Sequence, residues 1–321
     1  METHTPTPTE PTTPDADTTA GPADGQSAAP LVAYYSDEFH STGIEFDTTV
    51  KSRLVAEALL AHGGWALVPP RPVDAGELQL VHDADYVRAV LDGSPRDLAE
   101  SNCIGWDGAL WESVTASTGG VVEAAIRAMT SGRTTASLSS GLHHARPESG
   151  RGFCTFNGLA LAAVMARHAG AQRVLIIDLD AHCGGGTAAI IDGVDGIEQV
   201  DVSTSSFDRY APRPDARLEI ADHTTYLQVV GRVLDGVADP SGIDLVIYNA
   251  GMDVHEQAGG IPGFTTDLVR ARERIVLGWA ASLGLPVSFT LAGGYSGSGL
   301  DLTGVAALHL ETFRAAADMA A

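Results

Sequence analysis

Seven apolar runs punctuate this chain, and nearly all are followed by residues with helical spacing. The runs fall at 31–35, 66–68, 135–138, 174–180, 198–203, 245–250 and 287–291. Several are apolar without alternation, which suits strands covered on both faces. Helical spacing occupies 50–62, 83–92, 108–130, 157–169, 223–237, 265–283 and 300–320. Strand-then-helix order repeated in this way predicts a mostly parallel sheet between two helical layers, an α/β fold of three layers. We find no internal repeat, and no linker after residue 30 that would split off a second domain.

The first 30 residues are different. They hold six prolines, eight threonines and five carboxylates, with no Lys or Arg. Such a segment cannot bury enough apolar surface to offset its ordering entropy, so residues 1–30 read as a disordered acidic tail and 31–321 as a single domain. The whole chain carries 41 acidic against 19 basic side chains, a formal charge of −22. That balance argues against a nucleic-acid partner, whose phosphates need Lys and Arg, and leans towards cationic ones. No stretch approaches the ~18 apolar residues of a membrane span, and the tail lacks the basic start and apolar core expected of a signal peptide. Three cysteines without paired spacing exclude a disulfide scaffold and a Cys-rich zinc finger. The expectation is a cytoplasmic protein with no membrane partner; no heptad pattern speaks to its oligomeric state.

In an open parallel sheet, ligands sit beyond the carboxyl ends of strands, where strand order reverses. The residues just past each strand are therefore informative. The segments are Ser139-Ser140-Gly141-Leu142-His143-His144, Asp178-Leu179-Asp180-Ala181-His182, Asn249-Ala250-Gly251-Met252-Asp253 and Ala292-Gly293-Gly294-Tyr295. On an extended strand Asp180 and His182 share a face, and Asp253 from a second strand end completes a set of one histidine and two carboxylates. Three protein ligands with an open position are what a catalytic zinc needs. Amide hydrolysis at such a site also needs a base, an oxyanion donor and a proton source for the leaving amine. His143 and His144 supply base and acid, Asp178 is the carboxylate available to orient one of them, and Tyr295 is the donor. Other motifs fall short. His255-Glu256-Gln257-Ala258-Gly259 has Gly where a metalloprotease helix needs its second His, Gly294–Ser298 misses the last Gly of a nucleophile elbow, and Gly184-Gly185-Gly186-Thr187 has no P-loop lysine.

These motifs resemble those of the zinc-dependent histone deacetylase family, which includes acetylpolyamine amidohydrolases and acetoin-utilisation proteins. The resemblance rests on Gly141–Ala145, Gly152-Phe153-Cys154-Thr155-Phe156-Asn157, Asp178–His182, Asn249–Asp253 and Leu291–Tyr295, in family order, with weaker similarity from His40 through Val81–Val87. It implies the arginase/deacetylase fold and hydrolysis of an N-acetyl or N-acyl amide of a lysine or other small amine by metal-activated water. By family precedent Asp180, His182 and Asp253 hold one Zn2+. His144 is the general acid/base, and His143, paired to Asp178, acts electrostatically. Tyr295 polarises the carbonyl. Phe153 walls a narrow acyl-lysine channel, while Gly152 and Gly294 offer substrate contacts. The family also often binds a structural K+ beside the Asp178 strand, where Ser203 could contribute.

Two departures stand out. Where the family usually reads His-His-Gly followed by Asp or Asn, this chain has His182-Cys183-Gly184-Gly185, so Gly185 cannot support His144, which should be less basic and less firmly oriented unless another group substitutes. Cys183 reads as packing, or as a redox-sensitive thiol near the metal. The loop Ser203–Pro212 lacks the usual Pro-Gly-Thr-Gly, leaving Phe207 or Tyr210 as the second channel wall. Two alternatives stay open. An arginase-like ureohydrolase would need a further Asp where Gly184 stands, and a catalytically impaired acyl-amine-binding protein would follow from Gly185.

Overall fold

The computed structural model describes residues 1–2, 29–40 and 47–320; the tail expected over 1–30 lies almost entirely outside them. Eight strands form one sheet: β1 (Leu31–Tyr34), β2 (Trp65–Val68), β3 (Thr135–Ser137), β4 (Val174–Asp178), β5 (Ile197–Ser203), β6 (Ala216–Ile220), β7 (Leu245–Ala250) and β8 (Val287–Leu291). The helices are α1 (Asp47–His62), α2 (Ala75–Leu78), α3 (Ala84–Asp92), α4 (Arg96–Ala99), α5 (Leu110–Ser131), α6 (Gly158–His168), α7 (Gly185–Ile190), α8 (Tyr226–Asp235), α9 (Thr266–Ser282) and α10 (Leu302–Ala320). Strand order is β2-β1-β3-β8-β7-β4-β5-β6, and every pairing is parallel.

The unbroken apolar runs are explained by the two helical layers. In β4, Val174 and Ile176 join a core with α3, α5 and α6, while Leu175 and Ile177 join the core of α1, α8, α9 and α10. β7 does the same, with Leu245 and Ile247 on one side and Val246 and Tyr248 on the other. Burying each such aliphatic side chain contributes about 1.5–3 kcal/mol, so neither face of these central strands tolerates polar alternation.

Two differences from the sequence reading have physical causes. β4 stops at Asp178 rather than 180, because the Asp178 carboxylate accepts the Asp180 amide (3.3 Å) and turns the chain. β6 was not foreseen: it is an edge strand, Ala-Arg-Leu-Glu-Ile, whose half-exposed charges carry no apolar run.

Register does the rest. Asp201, Asp178, Asn249, Thr290 and Ser137 are successive partners on β5, β4, β7, β8 and β3, one polar row near the carboxyl end of the five neighbouring strands. Everything beyond that row projects into the cleft where ligands bind in such sheets.

Candidate active site

The middle of the polar row is hydrogen-bonded in series, and His143 joins it at Asp178. Thr290 Oγ1 donates to Asn249 Oδ1 (3.1 Å), Asn249 Nδ2 donates to Asp178 Oδ1 (2.8 Å), and His143 Nδ1–H donates to Asp178 Oδ2 (2.7 Å). Burial disfavours a proton on His143, but the Asp178 and Asp180 carboxylates outweigh it and lift its pKa to about 10. His143 is therefore an imidazolium at neutral pH. Its backbone is pinned too: the His143 carbonyl accepts from Thr187 N (3.0 Å) and from Asn157 Nδ2 (3.3 Å), the residue that also caps α6.

Next to it, ring to ring at 4.0 Å, His144 behaves oppositely. Burial and the neighbouring His143 cation push its pKa down to about 4, so it is neutral. A group other than residue 185 supports His144. Its Nδ1–H donates to Asp208 Oδ2 at 3.1 Å, while Arg146 and Arg151 (3.1 Å) hold Asp208 Oδ1. Burial pushes Asp208 up, but His144 and Arg146 outweigh it and keep it ionised.

Asp180, His182 and Asp253 come together, each offering a ligand atom within 4.8 Å of the others. Because β4 ends at Asp178, this convergence owes nothing to strand alternation. The turn makes it, through His182 N donating to Asp180 Oδ1 at 3.0 Å. The carboxylates are aimed by backbone amides: Gly293 N donates to Asp180 Oδ2 (2.9 Å) and Ala181 N to Asp253 Oδ1 (3.0 Å). Asp253 Oδ2 lies 3.0 Å from His182 Nδ1 but out of line for a hydrogen bond, and is buried with no other partner among the described residues. Burial opposes a charge on His182, yet Asp180 and Asp253 lift its pKa to about 11. Two buried carboxylates that demand a cation, one with an unspent oxygen, fit a divalent metal held by one imidazole and two oxygens.

Tyr295 lines the same cleft, with His143, His144, Gly152, Phe153, Asp180 and His182. Burial, then the charges of Asp253 and Asp180, hold its hydroxyl far above the usual range, so it stays a proton donor. Phe153 and Phe207, both partly exposed, flank an opening of about 420 Å³ that leads to His144, His182 and Tyr295. Gly152 has φ +53°, and a Cβ there would stand 2.8 Å from His144 Cδ2, so only glycine lets the wall approach the base.

Some expectations need correction. Tyr210 is not a wall: its hydroxyl donates to Arg217 O (3.0 Å) and its ring packs against the α5–α6 core. Gly294 does not line the cleft; its carbonyl receives Lys51 Nζ at 3.5 Å, and Gly293 takes the lining position. Cys183 is buried, donates to Ser205 O (3.3 Å), and burial lifts its thiol to about 12, so it packs rather than reacts. The Ser203 hydroxyl lies beside the Asp178 strand as expected and donates to Asp201 Oδ1 (2.6 Å).

Three further residues escaped the sequence reading. Lys51, the chain's sole lysine, is fully buried and donates to Ala292 O, holding the Tyr295 turn against α1. Arg272 is buried in α9 and donates to both Leu179 O (3.0 Å) and Gly251 O (2.7 Å), clamping the two metal-ligand turns together. Asp208 is the third. None has a local signal: Arg272 stands among Arg270 and Arg274 in an ordinary helical sequence, and Asp208 in a polar loop.

Comparison with known proteins agrees with this geometry. Residues 47–216 match the histone deacetylase domain model. An uncharacterized protein of Picosynechococcus sp. is 34% identical over 235 residues, 71% of this chain and 78% of that protein. Histone deacetylase 2 of Arabidopsis thaliana is 31% identical over 167 residues (49% and 43% of the two chains), and acetoin utilization protein AcuC of Staphylococcus aureus is 33% identical over 131 residues (38% and 34%). The chain thus spans less than half the length of these two named relatives. The crystal structure of the HDA15 HD domain superposes with a TM-score of 0.74 over 91% of this chain and 90% of that one, at 21% identity, a likeness of fold. With more than half its length inside the domain model, and a relative matched over most of both chains, this protein belongs to the histone deacetylase family.

Proposed function

We propose that the chain is a zinc-dependent deacylase that hydrolyses the N-acetyl or N-acyl amide of a lysine or small amine. One observation carries the reading: an Asp–His–Asp cluster whose carboxylates are buried, one with an unspent oxygen, beside a neutral histidine and a tyrosine held protonated. Asp180, His182 and Asp253 would hold the zinc, which supplies Lewis-acid polarisation of the carbonyl and activation of water. The rest is done by the chain's own groups. Phe153 and Phe207 admit a slender acyl-amine stem and keep bulk water from the amide. His144 carries its ring proton on Nδ1, so Nε2 can take a proton from the attacking water and return it to the leaving amine. His143 stays an imidazolium and offsets negative charge as it develops. Tyr295 donates its hydroxyl to the forming oxyanion, a bond worth about 3–4 kcal/mol in the transition state.

The test is hydrolysis of acetyl-lysine peptides, longer acyl-lysines and acetylpolyamines, with and without chelator, alongside metal analysis. We expect one zinc per chain, and activity abolished by Asp180→Ala and reduced about 10²–10³-fold by Tyr295→Phe. Because His182 carries a proton that a metal must displace, zinc binding should also release about one proton per ion, read by calorimetry in buffers of different ionisation heat. Unchanged turnover in either variant would defeat the mechanism. Two manganese ions with urea release would point to the ureohydrolase instead, and zinc with bound acyl-amine but no product to a binding protein. Among the described residues, one such three-ligand cluster is found, and it favours the mononuclear reading.

A further inference from the structure

We infer that Asp208 is the positioning residue of His144, delivered from the loop after β5 rather than from the turn carrying the metal ligands, and that position 185 is glycine in order to admit it. The catalytic meaning of this assignment rests on the deacylase reading; its geometry does not.

Three observations carry it. A carboxylate can only accept, so the 3.1 Å contact fixes the His144 proton on Nδ1 and leaves the Nε2 lone pair directed elsewhere. The Asp208 side chain is 1% exposed, so this support is not shared with solvent. Second, the space is exclusive. A Cβ at Gly185 would stand 2.3 Å from the Asp208 carbonyl oxygen, 2.8 Å from its Cγ and 2.9 Å from its Oδ1. Any side chain at 185 and Asp208 in its present place cannot coexist. Third, Asp208 is built into position. Its φ of +58° is one that Asp adopts at small cost, Cys183 N holds the preceding Phe207 carbonyl at 3.0 Å, and Arg146 and Arg151 occupy Oδ1 so that Oδ2 faces His144. The same loop carries Phe207, whose ring meets His144 edge-on at 5.0 Å. One segment thus sets both the channel wall and the orientation of the base.

The carboxylate that the family resemblance leads one to expect at 185 and Asp208 are therefore alternative suppliers of a single hydrogen bond. An acid restored at 185 would therefore displace Asp208 rather than add to it.

The experiment is a double-mutant cycle on the zinc-loaded full chain: Asp208→Gly, Gly185→Asp, and the two combined. Glycine tolerates the φ at 208, which favours folding of that variant. With an acetyl-lysine peptide, Asp208→Gly should lower kcat about 10²-fold and leave KM within about twofold, since Asp208 orients the base without touching substrate. Gly185→Asp alone should do at least as much damage. Glycine at 208 removes the contacts at 2.8 and 2.9 Å and frees the backbone to move the carbonyl that stands 2.3 Å from the new Cβ, so the combined variant should recover about tenfold over Gly185→Asp, and no recovery would overturn the competition. In parallel, 15N spectra of the metal-free protein should show His144 protonated on Nδ1 in the wild type and in the combined variant, and a mixture of tautomers in Asp208→Gly. Full kcat in Asp208→Gly, a harmless Gly185→Asp, or a wild-type His144 protonated on Nε2 would each overturn the assignment. Should the wild type hydrolyse no acyl-amine, the deacylase reading falls, while the tautomer measurement still decides the role of Asp208.

Discussion

His143 and His144 are neighbours in the chain, yet they lean on different parts of the molecule. His143 leans on the sheet: Asp178, Asn249 and Thr290 form one register row across three central strands, all fully buried. His144 leans on a loop, through Asp208, whose own partners Arg146 and Arg151 have side chains 28% and 47% exposed. The outcome is a cation on one ring and a neutral imidazole on the other, with pKa values of about 10 and about 4. A carboxylate fixed in a sheet, close to a second carboxylate, can hold a charge. The Asp208 carboxylate holds a tautomer instead, because burial and the His143 cation outweigh its pull on a second proton.

Four experiments would break or sharpen this contrast. The largest effect should come from Asp178→Asn, which removes the charge holding the His143 proton; kcat should fall by about 10³–10⁴, the scale expected when a buried carboxylate fixing a catalytic imidazole is neutralised. A loss no greater than that of Asp208→Gly would place the two supports on an equal footing. Arg272→Met should come next. It unties the Leu179 and Gly251 turns on the sheet side and leaves Glu273 buried without its partner, costing about 3–5 kcal/mol in denaturant unfolding. An effect under 1 kcal/mol would mean the sheet row holds those turns unaided.

The pH profile probes both rings at once. His144 must be neutral to act as base, so the acid limb of kcat/KM should lie near pH 4, well below the ordinary histidine value of 6.5. His143 must keep its proton, so activity should fall as pH rises through about 10. An acid limb at 6.5 would show that neither burial nor the His143 cation governs His144. The smallest effect belongs to Arg151→Ala at the rim: a half-exposed ion pair is worth at most about 1 kcal/mol, so kcat should change less than about fivefold.

The convergence of Asp180, His182 and Asp253 and the placement of Tyr295 in the same cleft were legible because each lies within a few residues of a strand end, and parallel sheets gather such ends. The apolar runs located seven of the eight strands for the same reason, and β6 was missed because an edge strand needs no apolar run. Lys51, Arg272 and Asp208 were illegible. Each acts on residues tens to hundreds of positions away, and its own neighbourhood reads as an ordinary helix or polar loop. Gly185 was noticed, but which group stands in its place could not be read, because Asp208 lies 23 positions further on in a polar loop.

Sequence alone determined the layered parallel sheet and which strand ends carry histidines, aspartates and tyrosine, since burial on both faces and position after a strand are written locally. Only the tertiary structure decided which carboxylate supports which histidine, and hence which ring is charged. That depends on distances of about 3 Å between segments the chain keeps far apart, and on a register no local pattern records.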